Sequence, residues 1–123
     1  MSVAVRVLIV EDEAVIAFML ERQLKMLGCE VAQKVIFGEE ALAAYQAHQP
    51  DLVLMDLHLA GDMSGLDAAR SILAQAPAAR IVFMTAYAID KVKQEIAQVQ
   101  HLAYLEKPIP PDRLRILVEQ VAG

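Results

Sequence analysis

Asp51-Leu52-Val53-Leu54-Met55-Asp56 decides the fold: four apolar residues in a row, stopped by a carboxylate. Such a run without polar alternation fits a short strand covered on both faces, as in a parallel sheet with helices above and below. Two other runs share the design. Val5 to Val10 passes into Glu11-Asp12, and Ile81 to Met84 passes into Thr85. A fourth ends in Lys107-Pro108. As neighbouring parallel strands they would bring their carboxyl ends to one sheet edge, where open α/β folds bind ligands. Three carboxylates, a hydroxyl and an ammonium would meet there. At an effective dielectric of ~20, acids ~5 Å apart repel by about 3 kcal/mol per pair, so the cluster requires a cation or strongly raised pKa values. The expected site is a divalent-metal pocket.

Outward from these runs, strands and helices alternate. Ile16, Leu20, Leu24 and Leu27 lie at helical spacing, and Gly28 supplies a stop. Val31 to Phe37 reads as a second strand, whose Gln33 and Lys34 suit a sheet edge. A second helix is expected from Glu39 to His48, closed by Pro50. After Asp56, a loop from Leu59 to Gly65 leads to a helix with Leu66, Ala69, Leu73 and Ala76 on one face, ended by Pro77. Ile89, Val92, Ile96 and Val99 stripe a fourth helix, Leu102 to Glu106 forms a short fifth strand, and Pro111 opens a last helix carrying Leu114, Leu117, Val118 and Val121. Five strands alternating with five helices predict a doubly wound α/β fold with a parallel sheet. Right-handed crossovers leave few strand orders, and the flavodoxin-like order 2-1-3-4-5 sets the first, third and fourth strands side by side.

A chain of 123 residues with 57% apolar content and mean hydropathy +0.40 has core material for one domain, residues 1–123, and no room for a second. Its net charge of −5 and pI near 5.1 argue against a nucleic-acid or anionic-membrane surface, which needs clustered Lys and Arg. They point to protein partners. The lone Cys29 cannot form an intramolecular disulfide and reads as a small buried hydrophobe. The N-terminus lacks a signal-like pattern and no apolar run reaches the roughly 18 residues of a membrane span, so a cytoplasmic protein is expected.

Taken together, Glu11-Asp12, Asp56 at the end of its apolar run, Thr85-Ala86, and Tyr104 three positions before Lys107-Pro108 resemble the receiver domain of two-component response regulators. The resemblance covers essentially the whole chain. It implies that Asp56 is the phosphoacceptor, taking a phosphoryl group from a sensor histidine kinase or a histidine phosphotransfer protein. It also implies a Mg²⁺ site formed by Glu11, Asp12, Asp56 and the His58 backbone carbonyl, a natural set for a hard cation that retains waters. Thr85 and Lys107 would contact phosphoryl oxygens, since phosphoryl transfer depends on positioning and charge stabilisation. Thr85 and Tyr104 would form the switch, reshaping a docking face of the fourth helix, fifth strand and fifth helix for a downstream protein. His58 and Tyr87, two residues beyond the acceptor and the threonine, would flank the approach of water and tune hydrolysis. A cis Lys107-Pro108 bond is implied as well. The chain would then be a signalling phosphoprotein of a phosphorelay and not an enzyme, taking part only in its own phosphorylation and autodephosphorylation. The last helix ends at Gly123, so a stand-alone receiver is expected.

Each residue also has a plainer reading. Glu11-Asp12-Glu13 alone would be acids at a helix N-terminus favoured by the macrodipole, and Glu13 keeps that role. Thr85 alone would be an ordinary strand residue, Lys107 a solvated charge and Tyr104 a half-buried strand aromatic. Tyr87 could pack on a helix and His58 face solvent. Joint register decides for the functional readings of Thr85, Lys107 and Tyr104, and for Asp56 a carboxylate directly after four apolar residues is an exception to burial; for His58 and Tyr87 both readings stand. Two departures from the family stand out. The loop Leu57 to Ser64 is one residue longer than in many receivers with Ala60 in place of a common proline, and Gln100 to Ala103 replaces the usual glycines.

Two rival classes share the fold. A metal-dependent phosphohydrolase with an aspartate nucleophile would carry a second Asp two residues on, where this chain has His58. A flavin- or nucleotide-binding module would need a glycine-rich cradle after the first strand, where this chain has Glu11-Asp12.

Overall fold

The computed structural model describes residues 4–123. Its elements run β1 (Arg6–Val10), α1 (Ala14–Met26), β2 (Glu30–Val35), a 3₁₀ turn (Gly38–Glu40), α2 (Ala41–His48), β3 (Leu52–Asp56), α3 (Gly65–Gln75), β4 (Ile81–Thr85), α4 (Ile89–Ala97), β5 (Ala103–Glu106) and α5 (Pro111–Ala122). The five strands form one parallel sheet in the order β2-β1-β3-β4-β5, as expected from the alternation.

Strand periodicity of two divides the core. Leu8, Val10, Val53, Met55, Ile81 and Phe83 face one side, where α2, α3 and α4 pack. Val7, Ile9, Leu52, Leu54, Val82 and Met84 face the other, against α1 and α5. Both faces of the central strands are thus sealed, which is why their sequences show no polar alternation.

Several boundaries differ from the sequence reading. β2 stops at Val35, the last residue paired with β1, and Ile36 and Phe37 turn outward. The second helix begins at Ala41, because the Glu40 N–H bonds the Phe37 carbonyl in a tight three-residue turn. β5 begins at Ala103, although Leu102 N–H still bonds the Ile81 carbonyl, and α4 ends at Ala97. Val99 is buried beyond the helix end; Ile89, the first residue of that stripe, has a side chain outside the described residues. On α3 the buried face is Ala68, Ala69 and Ile72, with Leu66, Leu73 and Ala76 at its margin. Small residues there let the helix lie close to the sheet. Cys29 is buried just before β2 and Gly28 ends α1 at φ +82°, as expected of a helix stop.

Candidate functional site

Register assembles the site. Val10 pairs with Met55, so the next residues, Glu11 and Asp56, stand level at the ends of adjacent strands. Asp56 pairs with Met84, which puts Thr85 one step further on the neighbouring strand. Thr85 pairs with Glu106, and the Lys107 N–H bonds the Thr85 carbonyl at 2.8 Å. Four separate segments therefore deliver their polar residues to one edge. Glu11, Asp56 and Thr85 are the buried polar residues among the described ones, at 2%, 3% and 0% exposure.

Ligand atoms of Glu11, Asp12 and Asp56 lie within 4.8 Å of one another. The Lys107 ammonium bridges two of these acids, 2.5 Å from Glu11 Oε1 and 2.9 Å from Asp56 Oδ2. Burial pushes the Glu11 carboxyl up to about 7, against the pull of Lys107, with the Asp56 charge adding to the rise. Burial would lower Lys107, but the two carboxylates outweigh it and hold its pKa above the ordinary value. One cation for three acids leaves the cluster under-compensated. The donors are all carboxylate oxygens, which suit a hard divalent ion such as Mg²⁺.

Backbone donors fix the remaining groups. Asp56 Oδ1 accepts the His58 N–H at 3.1 Å, and Glu11 Oε2 accepts the Glu13 N–H at 3.1 Å. Thr85 Oγ1 accepts the Tyr87 N–H at 3.0 Å, an arrangement that leaves its hydroxyl hydrogen available as a donor. The rings of His58 and Tyr87 meet edge to face, with centroids 4.6 Å apart, joining the loops that follow β3 and β4. Tyr104 is 41% exposed on the outer strand, with the His101 ring 6.5 Å away. The Lys107-Pro108 bond is cis, as the resemblance implied. Glu13 is an exposed residue at the start of α1, in keeping with its plainer reading.

The receiver family's sequence profile, described as response regulator receiver domain, matches residues 7–119. The chain belongs to this family. Among curated relatives, the chemotaxis protein CheY of Thermotoga maritima is 33% identical over 109 residues, 89% of this chain and 90% of the relative. The transcriptional regulatory protein PdtaR of Mycobacterium tuberculosis is 38% identical over 103 residues, covering 84% of this chain but only 49% of its own length. Among solved structures, the receiver domain of a sensor histidine kinase from Pseudomonas aeruginosa, with magnesium coordinated in its active-site cleft, superposes with TM-score 0.88 at 28% identity, covering 98% of this chain and 99% of that one. The response regulator PhyR of Brucella abortus gives 0.81 at 33% identity, over 98% of this chain and 49% of that one.

This receiver thus carries the family's fold and an acidic cluster suited to magnesium. As a family, receivers work in two-component signalling between histidine kinases and downstream targets. No helix of the described residues is long and apolar enough to cross a membrane. Two contributors to the site were missed in the sequence. A Cβ on Gly65 would fall 2.0 Å from the Asp56 carbonyl oxygen, so only glycine lets α3 begin against the end of β3. Glu39, from the turn before α2, accepts the Met63 N–H at 3.1 Å and anchors the loop after Asp56. The signal for Gly65 was its place directly after Ser64, whose hydroxyl caps α3 through the Asp67 N–H.

Proposed function

We propose that residues 1–123 act as one receiver unit in the cytoplasm, with Asp56 as its phosphoacceptor. The observation that carries this reading is the Asp56 carboxylate at the end of a buried strand, held by Lys107 Nζ at 2.9 Å beside two further acids. An Asp56 oxygen attacks the phosphorus of a phosphohistidine on a sensor histidine kinase or phosphotransfer protein. The P–N bond breaks, the imidazole leaves, and an acyl phosphate forms. Glu11, Asp12, Asp56 and the His58 carbonyl would hold Mg²⁺, which when bound supplies positive charge against the transferring oxygens. Lys107 gives its ammonium to one phosphoryl oxygen and Thr85 its hydroxyl hydrogen to another.

Recruitment of the Thr85 hydroxyl draws the β4–α4 loop inward and opens space for Tyr104 to turn in. That changes the face formed by α4, β5 and α5, where a downstream protein docks. Water ends the signal by attacking phosphorus in line with the Asp56 oxygen, restoring the carboxylate. The His58–Tyr87 ring pair supports a shielding role on that approach. The phosphohydrolase reading lacks its second aspartate, which His58 replaces, and the flavin reading lacks its cradle. Incubation with acetyl phosphate and Mg²⁺ followed by intact mass measurement tests the proposal: one phosphoryl adduct on the wild type and none on Asp56→Asn is expected. An adduct undiminished in Asp56→Asn would reject it.

A further inference from the structure

Residues 57–64 join β3 to α3; beyond the root, where the Leu57 N–H bonds the Met84 carbonyl at 2.9 Å, two acids clip the loop from outside. Asp12 Oδ2 accepts the Ala60 N–H at 3.0 Å, and Glu39 Oε1 accepts the Met63 N–H at 3.1 Å. Between the clips Gly61 turns with φ +94°, where a Cβ would come 3.3 Å from the Phe37 ring. The loop's path is therefore fixed by its neighbours. Proline has no N–H, so alanine at position 60 supplies a donor that proline could not, and the fold directs it at an acid of the metal-binding cluster. The Lys107 ammonium contacts Glu11 and Asp56, whereas Asp12 is only partly buried and makes no ion pair among the described residues.

We propose that Ala60 is a positioning residue of the metal site: its N–H orients the Asp12 carboxylate for a divalent cation and couples cation binding to the loop that carries His58. The inference rests on the receiver reading above. A backbone N–H on a carboxylate is a charge-assisted bond, and partners of this kind behind a metal ligand cost about 10- to 100-fold in metal affinity when removed. Coupling is reciprocal, so cation binding must in turn protect the Ala60 amide.

The test is a Mg²⁺ titration by calorimetry of the wild type, Ala60→Pro and Ala60→Ser, with amide hydrogen exchange at Ala60 in the wild type. Ala60→Pro should bind Mg²⁺ about tenfold more weakly, Ala60→Ser should keep the wild-type affinity, and Mg²⁺ should slow exchange at Ala60. Unchanged affinity in Ala60→Pro, or equal loss in Ala60→Ser, would overturn the proposal while leaving the phosphoacceptor reading intact. If Ala60→Pro does not fold, the exchange measurement decides: a rate indifferent to Mg²⁺ overturns it. A wild type that neither binds Mg²⁺ nor accepts a phosphoryl group would overturn both readings.

Discussion

Strand β3 buries all five of its residues, whereas β5, two places along the same sheet, buries only Leu105 of its four. The first ends in a carboxylate fixed by an ammonium and a backbone N–H; the second presents Tyr104 to solvent, and Leu102 and, on α5, Ile116 are exposed as well. Burial on both faces gives β3 one conformation, so a charge at its tip can be held for chemistry. Partial exposure leaves β5 free to change what it shows. Under the proposed function, the centre of the sheet performs phosphoryl transfer and the edge reports it.

The largest effect should come from the centre. Asp56→Asn is expected to abolish stable phosphorylation, because the amide is nearly isosteric but is no nucleophile. The same substitution removes one charge from a cluster in which Lys107 must serve several acids, so in Mg²⁺-free buffer it should raise the thermal midpoint. A lowered midpoint under those conditions would break the electrostatic account of the centre.

Next come the two signs of charge within the site. Asp12→Ala should weaken Mg²⁺ binding by more than the roughly tenfold cost of losing an outer-shell partner. Lys107→Ala should not weaken it, yet should impair the switch at Tyr104. Calorimetric titration of both variants separates them, and an equal loss of affinity would refute the assignment of roles.

The centre was legible because each of its polar residues directly follows an apolar strand run. Leu52 to Asp56 announces a doubly covered strand with a functional end, and the alternation around it gives the strand order. Glu11, Asp56, Thr85 and Lys107 meet as their register predicts. What escaped the sequence depends on approach in space. Nothing local says that Gly65 must clear the Asp56 carbonyl, that Glu39 reaches Met63, or that the alanine at position 60 directs its N–H at Asp12. Boundaries slipped where pairing stopped before hydropathy did, as at Ile36 and Phe37.

A smaller effect is expected where the two regions meet. Tyr87→Ala and His58→Asn should each speed loss of the phosphoryl group about two- to tenfold, the range that an aromatic pair worth about 0.5–1.5 kcal/mol covers. Half-lives measured by mass after removal of the donor check this, and a half-life unchanged or longer in both variants would show that the rings do not guard the site.

The smallest effect on the centre should come from the edge itself. Tyr104→Ala should leave the phosphorylation rate unchanged and shift stability by no more than about 1 kcal/mol, since the side chain is substantially exposed. Denaturant titration and phosphorylation kinetics provide the check, and a large loss in either would mean that the edge belongs to the chemistry.

The link between the regions is tested most directly by amide NMR spectra of the wild type and Thr85→Ala, each recorded before and after phosphorylation of Asp56. Both proteins should show shifts at Glu11, Asp12 and Asp56, while shifts at Leu102, Tyr104 and Ile116 should appear in the wild type alone. An edge that stays silent when wild-type Asp56 is phosphorylated, or that responds equally without the Thr85 hydroxyl, would contradict the account.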